Sequence, residues 1–299
     1  MTILVLRALG LGDLLVAVPA LRGLRRAFPG ERIVLATAPE LAPLAHASGA
    51  VDEVLPARGL ADPLSFPPPD LAVNLHGSGP ESHRLLDALA PRARIGFRSA
   101  GWPGPDWDDG EHEADRWCRL LDWHGIPADP TDLLLPWDPP ERGHVIVHPG
   151  AQYGCRRWPP DRYAQVAAAL VAEGDRVLVT GSAAEAALLA APPGAEVVAG
   201  RTDVAELAGL VAGARLVICG DTGVAHLATA FGTPSVLLFG PVSPRLWGPR
   251  TDGPHTVLWH SGLVRGDRWA SDPDPALLAI TVPDVLAACA TAAPSREVR

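Results

Sequence analysis

Short apolar runs alternate with helical patterns along this chain, and the alternation occurs twice. In the first half, strands are predicted at 2–6, 31–36, 51–55, 70–75 and 92–97, and helices at 14–27, 40–47, 81–90 and 112–124. Strands that are joined through helices run parallel, and the helices then cover both faces of the sheet. The first half is therefore predicted to form a Rossmann-like α/β domain.

The second half repeats this architecture after a proline-rich segment at 127–143, which is the best candidate for a linker. Strands are predicted at 144–148, 176–180, 195–198, 214–219 and 234–239, and helices at 160–172, 183–190, 203–212, 222–231 and 283–293. Residues 240–275 show no regular pattern and are predicted to be irregular. We expect two Rossmann-like parallel-sheet domains, 1–138 and 139–282, that face each other across a cleft. Residues 283–299 are expected to form a C-terminal helix and tail that could pack back toward the first domain.

The composition excludes several other classes of protein. The net charge of −9 argues against a nucleic-acid binder, and all 25 basic residues are arginines. No apolar run approaches the roughly 18 residues of a membrane span, and the N-terminus lacks the basic leader and cleavage site of a signal peptide. We therefore expect a cytoplasmic protein with no metal, no cofactor and at most peripheral contact with a membrane.

The loop after the first predicted strand contains Gly10, Gly12 and Asp13 and opens a helix. Parallel sheets bind ligands at the carboxyl ends of their strands, so this loop is a candidate site. A dinucleotide-binding fingerprint needs a third glycine where Leu15 stands, which weakens the case for NAD. Two interpretations of Asp13 stay open: a cap of the helix, or a carboxylate that acts as a general base.

A second loop follows the first strand of the second half and contains Arg156 and Arg157 before Trp158. Arginine grips a diphosphate through parallel hydrogen bonds, so a glycine-containing loop with two arginines suits that ligand. The alternative is a solvated basic turn in which Trp158 covers the core.

The third loop, from Gly220 to His226, follows an apolar strand and opens the helix at 222. Free N–H groups and the helix dipole at such a start bind phosphate oxygens. Taken singly, Asp221 and Thr222 could be capping residues and His226 a core histidine. Their presence together at one strand end favours a binding site.

These loops resemble glycosyltransferase family 9, the heptosyltransferases that use ADP-heptose in lipopolysaccharide core assembly. The matching residues are Gly12-Asp13 with Pro19-Ala20-Leu21, Arg156-Arg157-Trp158-Pro159, Gly181 with Glu185, Gly220-Asp221-Thr222-Gly223 with His226-Leu227-Ala228, Phe239-Gly240-Pro241 and Trp247-Gly248-Pro249. The resemblance covers about residues 2–290. It implies the GT-B fold, which consists of two Rossmann-like domains.

The resemblance also implies roles for individual residues. Asp13 corresponds to the proposed base, and Arg156 corresponds to a lysine that neutralises the leaving diphosphate. The implied donor contacts are Gly12, Gln152, Glu185, Asp221, Thr222, Gly223 and His226. The chain departs from the family in two ways, because arginine replaces that lysine and Ala151 and Gln152 replace hydroxyl-bearing residues.

The implied function is an inverting, metal-independent transfer of a sugar, with a heptose from ADP-heptose as first choice. The acceptor would be a glycan, a lipid-linked sugar or a small molecule. Three alternatives stay open: a GT-B epimerase or hydrolase, a non-catalytic nucleotide-sugar binder and, less favoured, an NAD-dependent reductase.

Overall fold

The computed structural model describes residues 1–186 and 192–292, and the chain divides into two compact units, Met1–Pro136 and Trp137–Arg299. The division falls within the proline-rich segment that is predicted to be a linker. The bounds 1–138, 139–282 and 283–299 stay predictions. Within the described ranges, every helix is too short or too polar to cross a membrane.

The first unit is a five-stranded parallel sheet, with helices in three of the four connections between its strands and one helix after the last strand. The strands are β1 (Thr2–Leu6), β2 (Arg32–Thr37), β3 (Glu53–Pro56), β4 (Leu71–Asn74) and β5 (Ala93–Ile95). The helices are α1 (Leu11–Ala27), α2 (Ala42–Ala47), α3 (Glu81–Asp87) and α4 (Glu113–Trp123). The strand order is β3-β2-β1-β4-β5. Because β1 is central and covered on both faces, Ile3 to Leu6 are all fully buried and form an unbroken apolar run.

Helix α1 begins earlier than the sequence predicts. It starts at Leu11, and Gly10 occupies the cap position, so the prediction that Asp13 caps a helix at 14–27 is wrong. Asp13 is the third helical residue, and its Oδ2 accepts a hydrogen bond from the Gly10 N–H at 3.1 Å. The carboxylate thus closes the first turn from inside the helix, as the third residue of a capping box does.

The second unit is built on a six-stranded parallel sheet in the described residues. The strands are β6 (Val145–His148), β7 (Val177–Val179), β8 (Glu196–Val197), β9 (Leu216–Gly220), β10 (Ser235–Leu238) and β11 (His255–Leu258). The helices are α5 (Pro160–Ala172), α6 (Ala183–Ala186), α7 (Val204–Gly213), α8 (Gly223–Phe231), α9 (Pro244–Trp247), α10 (Pro275–Leu278) and α11 (Val282–Ala292). The strand order is β11-β10-β9-β6-β7-β8.

Helix α9 and strand β11 lie inside residues 240–275, so the prediction that this segment is irregular is wrong at both places. The four residues of α9 are too few to show a helical period in the sequence. The strand pairs in parallel with β10, with Ser235 opposite His255. Strand β11 is short and only partly buried along its length, so its apolar pattern in the sequence is weak. Its pairing with β10 decides its conformation. The predicted helix at 183–190 is described as far as Ala186, and the rest of it lies outside the described residues.

The core of the second unit includes residues from its sheet and from α5 and α11. Trp158 is fully buried in this core, and its Nε1–H donates to the Ile280 carbonyl at 3.0 Å. Burial of a large apolar side chain contributes about 3 kcal/mol, so Trp158 anchors the loop that precedes it. Helix α11 adds Val285, Ala288 and Cys289 to the same core.

Candidate active site

Both sheets reverse their strand order at the first strand of the unit. In the first sheet β2 and β4 flank β1, and in the second sheet β7 and β9 flank β6. Such a reversal opens a crevice at the carboxyl ends of the strands, where α/β proteins bind their ligands. Asp13 follows β1, Arg156 follows β6 and Asp221 follows β9. The structure therefore places three of the predicted site residues at these two reversals.

In the first unit, Asp13 is held by Arg7, the residue directly after β1. Arg7 Nε donates to the Asp13 carbonyl oxygen at 2.9 Å, and Nη2 lies 3.5 Å from Asp13 Oδ1. Arg7 Nη1 donates to the Leu75 carbonyl oxygen at 2.5 Å, which ties the end of β4 to the same cation. The Asp13 side chain keeps 30% of its surface exposed. Its carboxylate is thus open to a hydroxyl group while its backbone is fixed.

A second carboxylate neutralises the buried guanidinium of Arg7. Nη2 of Arg7 lies 3.3 Å from Glu113 Oε1, and both side chains are buried. Glu113 opens α4 and also accepts hydrogen bonds from Arg116 and from Trp117 Nε1–H, the latter at 3.0 Å. The Arg7 guanidinium lies over the Trp117 ring, 4.7 Å from its centroid. These partners are necessary because burial removes the hydration of a charge, and only ion pairs and hydrogen bonds within the protein can offset that loss.

The loop after β4 brings His76 to the same end of the first sheet. Asn74 Oδ1 accepts from the His76 N–H at 3.0 Å, and Asn74 Nδ2 donates to Ser82 Oγ at 2.9 Å. Burial and the positive charge of Arg7 lower the pKa of His76 to about 4, although Asp13 acts in the opposite direction. The imidazole is therefore neutral at pH 7.

In the second unit, Arg156 forms an ion pair with Asp221, in which Nη1 and Oδ2 are 3.3 Å apart. The two loops meet because β6 and β9 are neighbours, with His148 opposite Cys219. Burial raises the pKa of Asp221, and the charge of Arg156 offsets part of that effect. Within the described part of the chain, the buried Nε of Arg156 has no hydrogen-bond acceptor. The guanidinium is thus only partly satisfied, and 21% of the Arg156 side chain stays exposed, which leaves it open to an anion.

The turn Gly154–Arg156 packs tightly against the segment that follows residue 269. The Cys155 N–H donates to the Ala270 carbonyl at 3.0 Å. A Cβ atom on Gly154 would overlap the Ser271 carbonyl oxygen, so this position has room for glycine alone. These contacts fix the backbone that carries Arg156.

Helix α8 begins directly after the Arg156–Asp221 pair. Thr222 occupies its cap position but its side chain makes no capping hydrogen bond, and Gly223 is the first helical residue. The Thr222 side chain therefore does not act as a cap of this helix. The positive end of the helix dipole adds to the attraction of this edge for a phosphate group. One turn further, the buried His226 packs edge-to-face on Trp247, with ring centroids 5.9 Å apart.

Glu185 lies on α6, which follows β7 of the same sheet. Its Oε2 accepts hydrogen bonds from the Ser182 N–H and from Ser182 Oγ, both at 2.8 Å. Burial acts to raise the pKa of Glu185, but these hydrogen bonds, with His148 and Arg157 nearby, outweigh it and the pKa is lowered. A Cβ atom on Gly150 would overlap the carboxylate, so the glycine leaves the space that Glu185 occupies.

The remaining predicted residues have less specific positions. Gln152 is exposed, and Gly12 is the second residue of α1. Arg157 donates from Nε to the Ala151 carbonyl at 2.8 Å and so helps to hold the loop in shape. Of the two arginines that suit a diphosphate, Arg156 is the one at the β6–β9 reversal.

Comparisons with known proteins point to one family. Residues 127–262 match the family model described as glycosyltransferase family 9 (heptosyltransferase). This segment contains Arg156, Glu185 and Asp221. The resemblance to glycosyltransferase family 9 is confirmed.

Curated relatives match part of the chain. Lipooligosaccharide heptosyltransferase 2 of Haemophilus influenzae is 33% identical over 127 residues, which are 38% of this chain and 35% of the relative. Lipopolysaccharide heptosyltransferase 2 of Salmonella typhimurium is 32% identical over 158 residues, or 49% of this chain and 45% of the relative. The chain thus spans between a third and a half of the length of these relatives.

Solved structures match nearly the whole chain. The E. coli ADP-heptose lps heptosyltransferase II has a TM-score of 0.78 at 22% identity, over 98% of both chains. The family 9 glycosyltransferase from Veillonella parvula has a TM-score of 0.80 at 19% identity, over 97% of this chain and 96% of that one. At these identities the likeness concerns the fold, and it confirms the prediction of a GT-B fold with two Rossmann-like units.

Three residues of the candidate site, Arg7, Glu113 and His76, are absent from the sequence-based set. The position of Arg7 directly after an apolar strand was a usable signal, because a charge there must find buried partners. Glu113 offered none, since it stands 106 residues from Arg7 in the sequence. His76 follows a predicted strand and could have been found by the same rule that selected Asp13.

Proposed function

We propose that this protein is an inverting, metal-independent glycosyltransferase that uses a nucleotide-diphosphate sugar. The observation that carries the proposal is the Arg156–Asp221 pair beside the start of α8, inside the segment that matches the family model. A guanidinium next to a helix N-terminus is suited to stabilise the charge on a leaving diphosphate. ADP-heptose is the first choice of donor, because a protein of similar fold is an ADP-heptose heptosyltransferase.

In the proposed reaction, the acceptor oxygen forms a bond to the anomeric carbon while the bond from that carbon to the diphosphate breaks. The electron pair of the broken bond stays on the diphosphate, which Arg156 and the first N–H groups of α8 are assigned to stabilise. The proton of the acceptor hydroxyl passes to the Asp13 carboxylate, which Arg7 holds in place. Glu185 is assigned to the nucleoside, and Gly12, Gln152, Thr222, Gly223 and His226 to other donor contacts.

The acceptor in this proposal is a glycan, a lipid-linked sugar or a small molecule that binds to the first unit. A cytoplasmic location and, at most, peripheral contact with a membrane stay predictions from the sequence.

Nucleotide binding by isothermal titration calorimetry tests the donor half of the proposal. ADP, UDP, GDP and NAD are titrated into the wild type, Asp221→Ala and the control Asp252→Ala, which removes an exposed carboxylate of the same unit. We expect preferential binding of ADP, at least tenfold weaker in Asp221→Ala and unchanged in the control. A preference for UDP or GDP would replace the ADP-heptose donor, and binding of NAD alone would favour a reductase.

Transfer from ADP-heptose to a panel of acceptors tests the catalytic half. Asp13→Asn should bind the donor with wild-type affinity but lose about 10²–10⁴-fold in turnover, the usual contribution of a positioned general base. Turnover that persists in Asp13→Asn would remove Asp13 from that role. Consumption of the donor without transfer to any acceptor would indicate an epimerase or hydrolase.

A further inference from the structure

The segment 265–274 is hydrogen-bonded to the turn Gly154–Arg156. The Cys155 N–H donates to the Ala270 carbonyl oxygen at 3.0 Å, and the Asp274 N–H donates to the Cys155 carbonyl oxygen at 3.2 Å. The Asp274 side chain is buried, and its carboxylate accepts hydrogen bonds from two backbone N–H groups, at 3.1 and 2.9 Å. These bonds fix the segment beside the turn that carries Arg156.

Trp269 lies in this segment with most of its surface in solvent. It is 63% exposed, which is the largest fraction among the exposed large apolar residues of the described chain. Its backbone N–H donates to Asp267 Oδ1 at 3.0 Å, so the local turn is held by its own hydrogen bond. Single exposed apolar side chains are common on protein surfaces, so exposure alone assigns no function. The neighbours of the indole ring decide what it can do.

A tyrosine ring connects Trp269 with the proposed diphosphate site. Tyr153 packs edge-to-face on Trp269, with ring centroids 5.0 Å apart. The Arg156 Cζ atom lies 5.7 Å from the centroid of the Tyr153 ring. Arg268 is exposed, and its Cζ atom lies 6.0 Å from the Trp269 centroid. Tyr153 and Trp269, here called the aromatic platform, therefore border the guanidinium that is assigned to the diphosphate.

The segment that carries Trp269 lies at the β10 side of the second sheet. A Cβ atom on Gly240, just after β10, would lie 3.6 Å from the Cβ atom of Asp274. Glu185 follows β7. Because the strand order is β10-β9-β6-β7, the segment and Glu185 lie on opposite sides of the Arg156–Asp221 pair, which joins the loops after β6 and β9.

This arrangement gives the two ends of a nucleotide sugar different neighbours. The diphosphate of such a donor joins the nucleoside at one end to the sugar at the other. With the nucleoside at Glu185 and the diphosphate at Arg156, the sugar extends toward the segment that carries Trp269. The C–H face of a sugar ring is a flat apolar surface that an indole ring can cover, and the Arg268 guanidinium can donate to the hydroxyl groups at its rim.

We propose that Trp269, supported by Tyr153, stacks on the sugar ring of the nucleotide-sugar donor, so that the site distinguishes the donor from the free nucleotide. This inference deepens the proposed function and rests on it. The aromatic platform contributes to the binding of the sugar and leaves the binding of the nucleotide to Arg156, Glu185 and the start of α8.

Calorimetry with ADP and with ADP-heptose tests the proposal on the wild type and on Trp269→Ala. We expect an unchanged affinity for ADP and an affinity for ADP-heptose that is about three- to tenfold weaker, as for the loss of one aromatic contact. The control is Trp123→Ala, which removes a 51% exposed tryptophan that packs on His124 in the first unit. The control should bind both ligands as the wild type does.

Two further variants test whether the flat ring is the cause. Trp269→Phe and Trp269→Leu both keep an apolar side chain, but only phenylalanine keeps an aromatic face. Trp269→Phe should retain most of the affinity for ADP-heptose, and Trp269→Leu should lose as much as Trp269→Ala. Equal affinities of the phenylalanine and leucine variants would refute stacking as the mode of contact.

The two ligands also separate the inference from the function on which it rests. A wild type that does not bind ADP-heptose would overturn the proposed donor and the platform with it. If the wild type binds ADP-heptose and Trp269→Ala binds it equally well, the function stands and the inference alone fails. A loss of ADP affinity in Trp269→Ala as large as the loss for ADP-heptose would assign the platform to the nucleotide and overturn its assignment to the sugar.

Discussion

Removal of the Arg7 guanidinium should destabilise the first unit and slow the transfer reaction at the same time. Arg7→Met keeps the apolar stem but leaves four acceptors without this donor. They are the carbonyl oxygens of Asp13 and Leu75 and the carboxylates of Asp13 and Glu113. Arg7→Lys keeps the charge but lacks the planar fork that reaches several acceptors at once, so it should recover only part of the loss.

The size of the effect follows from the partners that remain. Removing one member of a buried ion pair costs about 3–5 kcal/mol. Glu113 keeps its hydrogen bonds from Arg116 and Trp117, so the lower end, about 3 kcal/mol in the free energy of unfolding, is expected. A shift of the Asp13 carboxylate by about 1 Å would also lower kcat by about a hundredfold. The affinity for the donor should change little, because all of its proposed contacts other than Gly12 belong to the second unit.

Urea denaturation, followed by tryptophan fluorescence, measures the change in stability. The control is Arg32→Met, which removes an ion pair with Glu53 in which both side chains are about half exposed. Exposed pairs contribute little, so this variant should stay within about 0.5 kcal/mol of the wild type. The reasoning is refuted if Arg7→Met unfolds within about 1 kcal/mol of the wild type, or if both variants lose the same amount.

Three further substitutions test the second unit. Gly154→Ala should lower the free energy of unfolding by about 2 kcal/mol, because its Cβ overlaps a backbone carbonyl. The control is Gly30→Ala, whose Cβ enters open space and should leave thermal unfolding nearly unchanged. Gly150→Ala should weaken ADP binding several-fold at nearly constant stability, since its Cβ displaces the Glu185 carboxylate. Calorimetry measures the affinity for ADP, and an unchanged affinity would contradict the assignment of Glu185 to the nucleoside. Asp221→Asn should gain stability over the wild type as the pH rises above the usual aspartate pKa of 3.8. Burial raises the folded-state pKa of Asp221, so the unfolded wild type loses this proton at a lower pH than the folded wild type does. The unfolded state of the wild type is therefore favoured over the folded state as the pH increases. Denaturation at about pH 3 and about pH 7 measures the difference between the variant and the wild type, and a difference that does not grow with pH would count against the buried carboxylate.

The local pattern of the sequence is sufficient for the fold class and for most of the elements. Strand β1 and helix α5 begin and end at the predicted residues, 2–6 and 160–172. Strands of a parallel sheet are covered on both faces, so they appear as short apolar runs that are visible without the tertiary structure. The family resemblance selects Asp13, Arg156 and Asp221, and the strand-end rule explains why the structure places these residues at the reversals of the two sheets.

The tertiary structure decides the features that depend on partners far apart in the chain. The short β11 is weakly apolar and becomes a strand because β10 offers its hydrogen-bonding edge. Arg7 and Glu113 meet across 106 residues, and their pairing depends on burial rather than on any preference of the local sequence. The sequence by itself thus determines most of the strands and helices, since apolar spacing is a local property. The network around Asp13 requires the folded unit, because the energy of a buried charge is set by the groups that folding brings to it.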